Sequence, residues 1–247
     1  MTSLTGKAVL VTGGSRGIGA AIARQLAQQG AAVALTYATA GDQAEAVAKQ
    51  IYTEGRRALV IQADNNDPNA AVNAVEQTVR ELGRIDILVN NAGIMAGHGD
   101  LEHVTLQEVD QALAVNVRAV FLACQAAARH MSHGGRIINI GTCVSERVPG
   151  PGTTLFAMSK SALTGLTKGL ARDLGPRGIT ATVIQPGPID TDANPADGPG
   201  AGFVRNLTAL GHYGTVDDIA STVAYLAGDG GRYITGTAIS IDGGFTA

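Results

Sequence analysis

The chain has no tryptophan, and aromatic residues fill only 4% of its 247 positions. Its core must therefore be aliphatic rather than built on large rings. Cysteine is almost as scarce. Cys124 and Cys143 are too few for a disulfide framework and lack the spacing of a metal site, so a reducing, cytoplasmic setting is expected. No apolar run approaches about 18 residues, which argues against a membrane span. The opening MTSLTGK has no signal-peptide apolar stretch. There is no basic block and the net charge is -3, so neither nucleic acid nor an anionic membrane is an expected partner. His98, His103, His130, His133 and His212 are scattered, with no zinc-type pair and third ligand, so no metal is expected.

What is abundant is Ala, Val, Ile and Leu. Apolar residues reach 45%, enough for one large α/β core at this length. Short β-branched runs alternate with longer helical patterns. KAVLVTG, AAVALTY, RALVIQAD, IDILVNNAG, GRIINIG, GITATVIQPG and AISIDGG read as seven strands. Helical stretches lie between them, the longest through residues 106–131 and 156–174. This alternation predicts a Rossmann-type, doubly wound, mostly parallel seven-stranded sheet with helices on both faces, in a single domain. Residues 186–202, PGPIDTDANPADGPGAG, carry too much Pro, Gly, Asp and Asn for a continuous helix. An irregular stretch of that length suggests a lid over about 186–210.

Between the first strand and helix stands VTGGSRGIG, with Gly13, Gly17 and Gly19. Glycines there permit a tight turn, and backbone N–H groups at the helix start face a pyrophosphate. An acid ending the second strand would hold the ribose 2′-OH of NAD. This strand ends in Thr36 and Tyr37 instead, while Arg16 in the loop can pair with a 2′-phosphate. Both features predict NADP(H).

At this point the chain resembles the short-chain dehydrogenase/reductase family, and within it carbonyl reductases of the 3-oxoacyl type. The resemblance covers essentially the whole length. It rests on the loop Gly13, Ser15, Arg16, Gly17, Ile18 and Gly19, on Asp64 and Asn65, on Asn91-Ala92-Gly93, on Asn116, on Lys160, and on the run Pro186-Gly187-Pro188-Ile189-Asp190-Thr191. It implies that Asp64 reaches the adenine with Asn65 beside it, that Asn91, Ala92 and Gly93 line the cofactor, and that Ile189 and Thr191 contact the carboxamide. It assigns Asn116 and Lys160 to the catalytic tetrad. It also implies a dimer or tetramer through the two long helices, where Ala157, Ser161, Ala162, Gly165 and Gly169 allow close approach, and a small carbonyl or alcohol substrate. The stripe Val109, Leu113, Val117 and Val120 reads as helix core or interface.

Two positions depart from the pattern. Thr142 stands where the family has serine, and Phe156 stands where it has tyrosine, 14 residues on and four before Lys160. The tyrosine is the family's proton donor; spacing i to i+4 puts it on one helix face with the lysine. Phe156 keeps the ring and loses the proton, which costs a carbonyl reduction about 10²–10⁴-fold. Thr142 keeps a hydroxyl. Thr153, Thr154, Ser145 and Ser159 are other hydroxyls nearby in sequence, and Cys143 reads as a structural thiol. Four readings stay open. They are a working NADP(H) oxidoreductase, a disabled variant (natural or introduced), a nucleotide-binding regulator without turnover, and a reductase of acceptors needing no proton from position 156, such as imines or activated alkenes.

Overall fold

The protein was analysed as a computed structural model, which describes residues 3–97 and 99–247. Seven strands form one sheet: β1 (Ala8–Val11), β2 (Ala32–Tyr37), β3 (Ala58–Gln62), β4 (Ile87–Asn90), β5 (Arg136–Ile140), β6 (Thr180–Pro186) and β7 (Thr237–Ile241). Their order is β3-β2-β1-β4-β5-β6-β7. Every pairing is parallel, so the mixed edge that the sequence left open does not occur. The order reverses between β1 and β4, and ligands of open α/β sheets sit at such a switch point, beyond the strands' carboxyl ends.

Strands β1, β4 and β5 are buried along their whole length, as a parallel sheet covered on both faces requires. On one face α1 (Gly17–Gln28), α2 (Gly41–Thr53) and α8 (Val216–Ala227) close a core around Ile22, Leu26, Leu35 and Ile51. On the other, α3 (Ala70–Leu82), α5 (Ala119–His130) and α6 (Thr154–Leu174) close a second core around Leu10, Leu88, Ile137 and Leu163. Before α5 lies α4 (Leu106–Leu113), and α7 (Ala201–Asn206) precedes α8.

Local chemistry sets the helix ends. The Thr105 and Glu108 side chains form a reciprocal capping box at the start of α4, and Thr215 with Asp218 does the same for α8. Gly83, at a φ of 83°, ends α3 in the left-handed conformation that glycine adopts without strain. Two features depart from the sequence reading. The long helix through 106–130 is interrupted by a π turn, Ala114–Arg118, and Asn116 lies in it. The stretch read as irregular runs into α7, which starts after Gly200 and takes Gly202 into its first turn. By composition the helix Leu106–His130 is apolar enough to cross a membrane, but more than half of that window is buried in the fold.

Candidate active site

The carboxyl ends of β1, β2, β4, β5 and β6 open onto two contiguous cavities of about 550 and 520 Å³, which share Ile18, Asn91, Gly93, Ile94 and Ala193. The first runs from Arg16 and Tyr37 past Asp64 and Asn65 to Ala92 and Thr191. The second holds Thr142, Cys143, Phe156, Lys160, Pro186 and Gly187.

The glycine loop is held by its neighbours rather than by itself. Gly13 N–H donates to the buried Thr36 hydroxyl at 3.0 Å, and Gly14 N–H to the Thr36 carbonyl at 2.8 Å. Thr36, noticed in the sequence as a missing acid, is thus an anchor of the loop. Asn91 does likewise, its amide donating to the carbonyls of Thr12 and Gly13 at 2.9 Å each. The Thr12 hydroxyl accepts from the N–H groups of Asn91 and Ala92 at 3.0 and 3.1 Å. A Cβ on Gly19 would lie 2.2 Å from the Gly13 carbonyl oxygen, so only glycine allows this packing. Ser15 also lines the first cavity.

Beside this cavity opens a polar recess of about 600 Å³ between Arg16, Tyr37, Thr39 and the first turn of α2. Arg16 is exposed and makes no ion pair among the described residues. Helix α2 begins after Ala40 with no side-chain cap, so its first N–H groups remain available to an anion. Sequence reading found Arg16 and Tyr37 but missed Thr39 and this helix start. The absence of Ser, Asp, Asn or Thr at position 40 was the signal. The residues fit a dinucleotide carrying a 2′-phosphate, with a close-packed glycine turn for the pyrophosphate and, beyond the ribose, a recess with Arg16 and an uncapped helix start, although Asp42 of that first turn also lines it.

Asn116 is fully buried and its amide is fully engaged. It accepts from Ile94 N–H at 2.9 Å, and donates to the Ile94 carbonyl at 2.9 Å and to the Ser159 hydroxyl at 3.0 Å. The π turn that carries it, a device common where a functional side chain must be re-aimed, lets it fasten the Ile94 segment against α6. Ser159 in turn donates to the Phe156 carbonyl at 3.0 Å. Lys160 is 7% exposed and donates to the Ile140 carbonyl at 2.9 Å. No carboxylate stands against it, and burial lowers its pKa from 10.5 to about 8. A Cβ on Gly93 would lie 2.8 Å from the Lys160 amine, so that glycine keeps the amine's place open. Thr142 accepts from Val144 N–H at 3.3 Å, and its hydroxyl also hydrogen-bonds the neighbouring Cys143 thiol, so donating to a ligand means turning from that thiol. The Cys143 thiol lines the cavity but is pushed up to about 12, chiefly by burial, so it is neutral and unreactive.

One carried-over position does not present its side chain to the cavities. The Ile189 side chain is buried in the core beneath β6 and reaches neither large cavity. A parallel bridge between Ile189 and Gly214 turns it inward. Thr191, two residues on, does line the first cavity, its methyl carbon 3.6 Å from where a Cβ on Gly17 would sit. No cluster of metal-ligating side chains occurs among the described residues; His98 lies outside them.

Residues 13–246 match the family model described as enoyl-(acyl carrier protein) reductase. A short-chain dehydrogenase/reductase from Serratia marcescens BCRC 10948 superposes with a TM-score of 0.97 and 56% identity over 99% of both chains. This chain belongs to the short-chain dehydrogenase/reductase family. Within that family, a dehydrogenase from Burkholderia cenocepacia J2315 in complex with NADP is 55% identical, with a TM-score of 0.97 over 99% of both chains. The cyclic-di-GMP-binding biofilm dispersal mediator protein of Escherichia coli (strain K12) is 44% identical over the full length of both. Membership makes the chain an oxidoreductase scaffold and agrees with the fold read from its strand–helix alternation.

Proposed function

We propose that this short-chain dehydrogenase/reductase uses NADP(H) and moves a hydride between the nicotinamide and a small, largely apolar carbonyl or alcohol compound, with simple ketones turned over slowly. The observation that carries the reading is the pair of joined cavities, one ending at an unpaired Arg16 and an uncapped helix, the other at Thr142 and Lys160. The cofactor of the Burkholderia relative favours the same assignment.

When bound, the nicotinamide supplies or accepts the hydride. The protein does the rest. Gly13, Ser15, Gly17, Ile18 and Gly19 shape the pyrophosphate turn, Arg16, Tyr37 and Thr39 hold the 2′-phosphate, and Asp64 and Asn65 border the adenine. Asn91, Ala92 and Gly93 form the floor, with Pro186, Gly187 and Thr191 on the other wall; the segment 186–210 acts as a lid. Lys160 holds the ribose, and the Thr142 hydroxyl donates to the substrate oxygen. Asn116 acts through Ile94 and Ser159 as a positioning residue. Phe156 packs on the substrate and gives no proton.

Assembly through α4, α5 and α6 fits the apolar side chains exposed there, Leu106, Leu113, Phe121 and Met158, beside the small residues Ser161, Ala162, Gly165 and Gly169. A homotetramer, with a dimer across these helices as its unit, is the assembly we assign. A cytoplasmic location accords with two unpaired buried cysteines.

The test is Phe156→Tyr. With NADPH and a ketone panel it should raise kcat/KM at least ~10²-fold, the low end of what a general acid contributes. An unmodified chain that reduces ketones at ordinary rates and is indifferent to the substitution would refute the role given to position 156. A second reading, a nucleotide-binding regulator without turnover, draws on Phe156 and on the name of the E. coli relative. It requires that NADPH bind while no acceptor oxidises it in either protein.

A further inference from the structure

The lining of the second cavity narrows the acceptor. Phe156 shares the cavity wall with Thr142 and Lys160, and the other nearby hydroxyls do not take the missing phenol's place. Ser159 is bound to Asn116 and to the Phe156 carbonyl, Thr154 is exposed, and neither Ser145 nor Thr153 lines the cavity. The donors that remain are the Thr142 hydroxyl and the Lys160 ammonium, whose three N–H groups are divided among the Ile140 carbonyl, the ribose and the acceptor oxygen. Two amides also line the cavity: Asn91, spent on the Thr12 and Gly13 carbonyls, and Asn194, which donates to the Ile189 carbonyl at 3.3 Å. The remaining side chains are apolar, including Met95, Val144, Leu207 and the two rings of Phe156 and Phe245, and no carboxylate lines it among the described residues.

Building on the oxidoreductase reading, we propose that the acceptors this site reduces efficiently are conjugated ones, quinones and electron-poor enones, whose hydride adduct is a delocalised and weakly basic oxyanion. Two arguments carry this, and the second separates such acceptors from imines. A saturated ketone gives an alkoxide, about as basic as hydroxide, whose conjugate acid has a pKa near 16. It must take a proton as it forms. A hydroquinone anion is phenol-like, with a conjugate-acid pKa near 10, and leaves the site unprotonated. An iminium ion, by contrast, carries positive charge into a cavity whose one charged wall group is Lys160 and which offers it no counter-ion. Lys160 is itself buried, so its repulsion of a cation and its attraction of an anion are less screened than at the surface. The same Lys160 and Thr142 that oppose a cation stabilise an enolate or hydroquinone oxygen. The two phenyl rings give a planar aromatic acceptor matching faces.

In the step itself a C–H bond forms at the acceptor's β-carbon as the hydride leaves C4 of the reduced nicotinamide with its electron pair. The C=C pair moves into conjugation and the carbonyl π pair settles on oxygen. The acceptor is reduced by two electrons and NADPH becomes NADP⁺. An enone's enolate takes its proton from water after release; the quinone adduct is the keto tautomer of the hydroquinone anion and becomes that anion when one proton of the new CH₂ group passes through water to the second carbonyl oxygen.

The experiment follows NADPH oxidation anaerobically, corrected for the enzyme-free rate, with naphthoquinone, the size-matched saturated ketone tetralone, and the cyclic imine dihydroisoquinoline. We expect kcat/KM for naphthoquinone to exceed that for tetralone by ~10³-fold, within the range a general acid supplies. Phe156→Tyr should raise tetralone at least ~10²-fold and naphthoquinone less than about fivefold. Equal rates for quinone and ketone, an imine that outpaces the quinone, or a tyrosine variant that lifts both alike would overturn the proposal. An independent reading needs no turnover. The absorbance of bound naphthol should report its naphtholate form at a lower pH than in free solution, and Lys160→Met should abolish that displacement. Naphthol that binds without it would refute the anion-stabilising cavity. Failure to bind NADPH by calorimetry would instead refute the oxidoreductase reading on which the proposal rests.

Discussion

Replacing Lys160 with methionine should make the protein more stable at neutral pH, and the gain should fade as pH rises. Methionine keeps the length and apolar stem of lysine and drops the charge. The lysine is buried without a counter-charge, which holds its pKa at about 8 instead of 10.5. In the folded state the charged form is therefore disfavoured by about 3 kcal/mol at pH 7. Against this, the Ile140 carbonyl loses its donor, at about 1–2 kcal/mol. The net gain at pH 7 is about 1–2 kcal/mol. The sign of the pH dependence follows from proton counting. Between about 8 and 10.5 the unfolded chain holds the proton that folded Lys160 has released, so the unmodified protein gains stability through this residue as pH rises. Below about 8 both states are charged and the penalty is complete. From pH 7 to pH 9.5 the advantage of Lys160→Met should shrink by about 2 kcal/mol. Urea unfolding of both proteins at fixed protomer concentration, without cofactor, measures it. An advantage that stays constant across that range would mean that Lys160 is compensated in the folded protein and that its burial does not bear on its charge.

Two further outcomes probe the rest of the proposed site and assembly. Arg16→Ala should weaken NADPH binding by ~10–100-fold, as loss of a charge-assisted phosphate contact does, and leave NADH within about threefold; calorimetry that finds equal affinities for both cofactors in the unmodified chain would refute the phosphate assignment. Light scattering at micromolar concentration should give a tetramer mass, and Phe121→Glu, which puts a charge on the exposed face of α5, should dissociate it at least to dimers; a monomeric unmodified chain would refute the assembly.

The strands were legible because parallel strands covered on both faces must be apolar throughout. RIINI and ILVN are fully buried in the sheet, and no other element accommodates such runs between turn residues. Helix limits were less legible. Helix α6 begins at Thr154, two residues before the reading, because Thr153 cannot be told from a helical residue until its carbonyl is seen accepting from Ala157 N–H at 2.8 Å. The π turn at Ala114–Arg118 leaves no trace in composition. It is one extra residue per turn, and apolar periodicity is too coarse to register it. The short helix α7 was hidden by the glycines and prolines that precede it.

The site was legible as a set of residue types but not as a division of labour. The glycine loop, Lys160, Thr142 and Phe156 do meet at the cavities, because a strand end, a turn and an i to i+4 pair impose their positions. What sequence could not assign was which polar groups face the cavity and which are spent on holding it. Asn91 and Asn116 each look like ligand or catalytic contacts and Thr36 only like a missing acid, yet the hydrogen bonds of all three go largely to backbone groups of Gly13, Thr12 and Ile94. A side-chain amide that satisfies a strand-end carbonyl is indistinguishable in sequence from one that meets a ligand, since both need the same donor and acceptor. The distinction has a consequence for position 156. All the machinery that fixes Lys160, from Ile140 to the Asn116–Ser159 link, is anchored without the phenol: Ser159 reaches the backbone carbonyl of residue 156, not its side chain. The ring can lose its hydroxyl and leave that framework intact. What changes is then confined to the proton supply, and with it to the class of acceptor the cavity can serve.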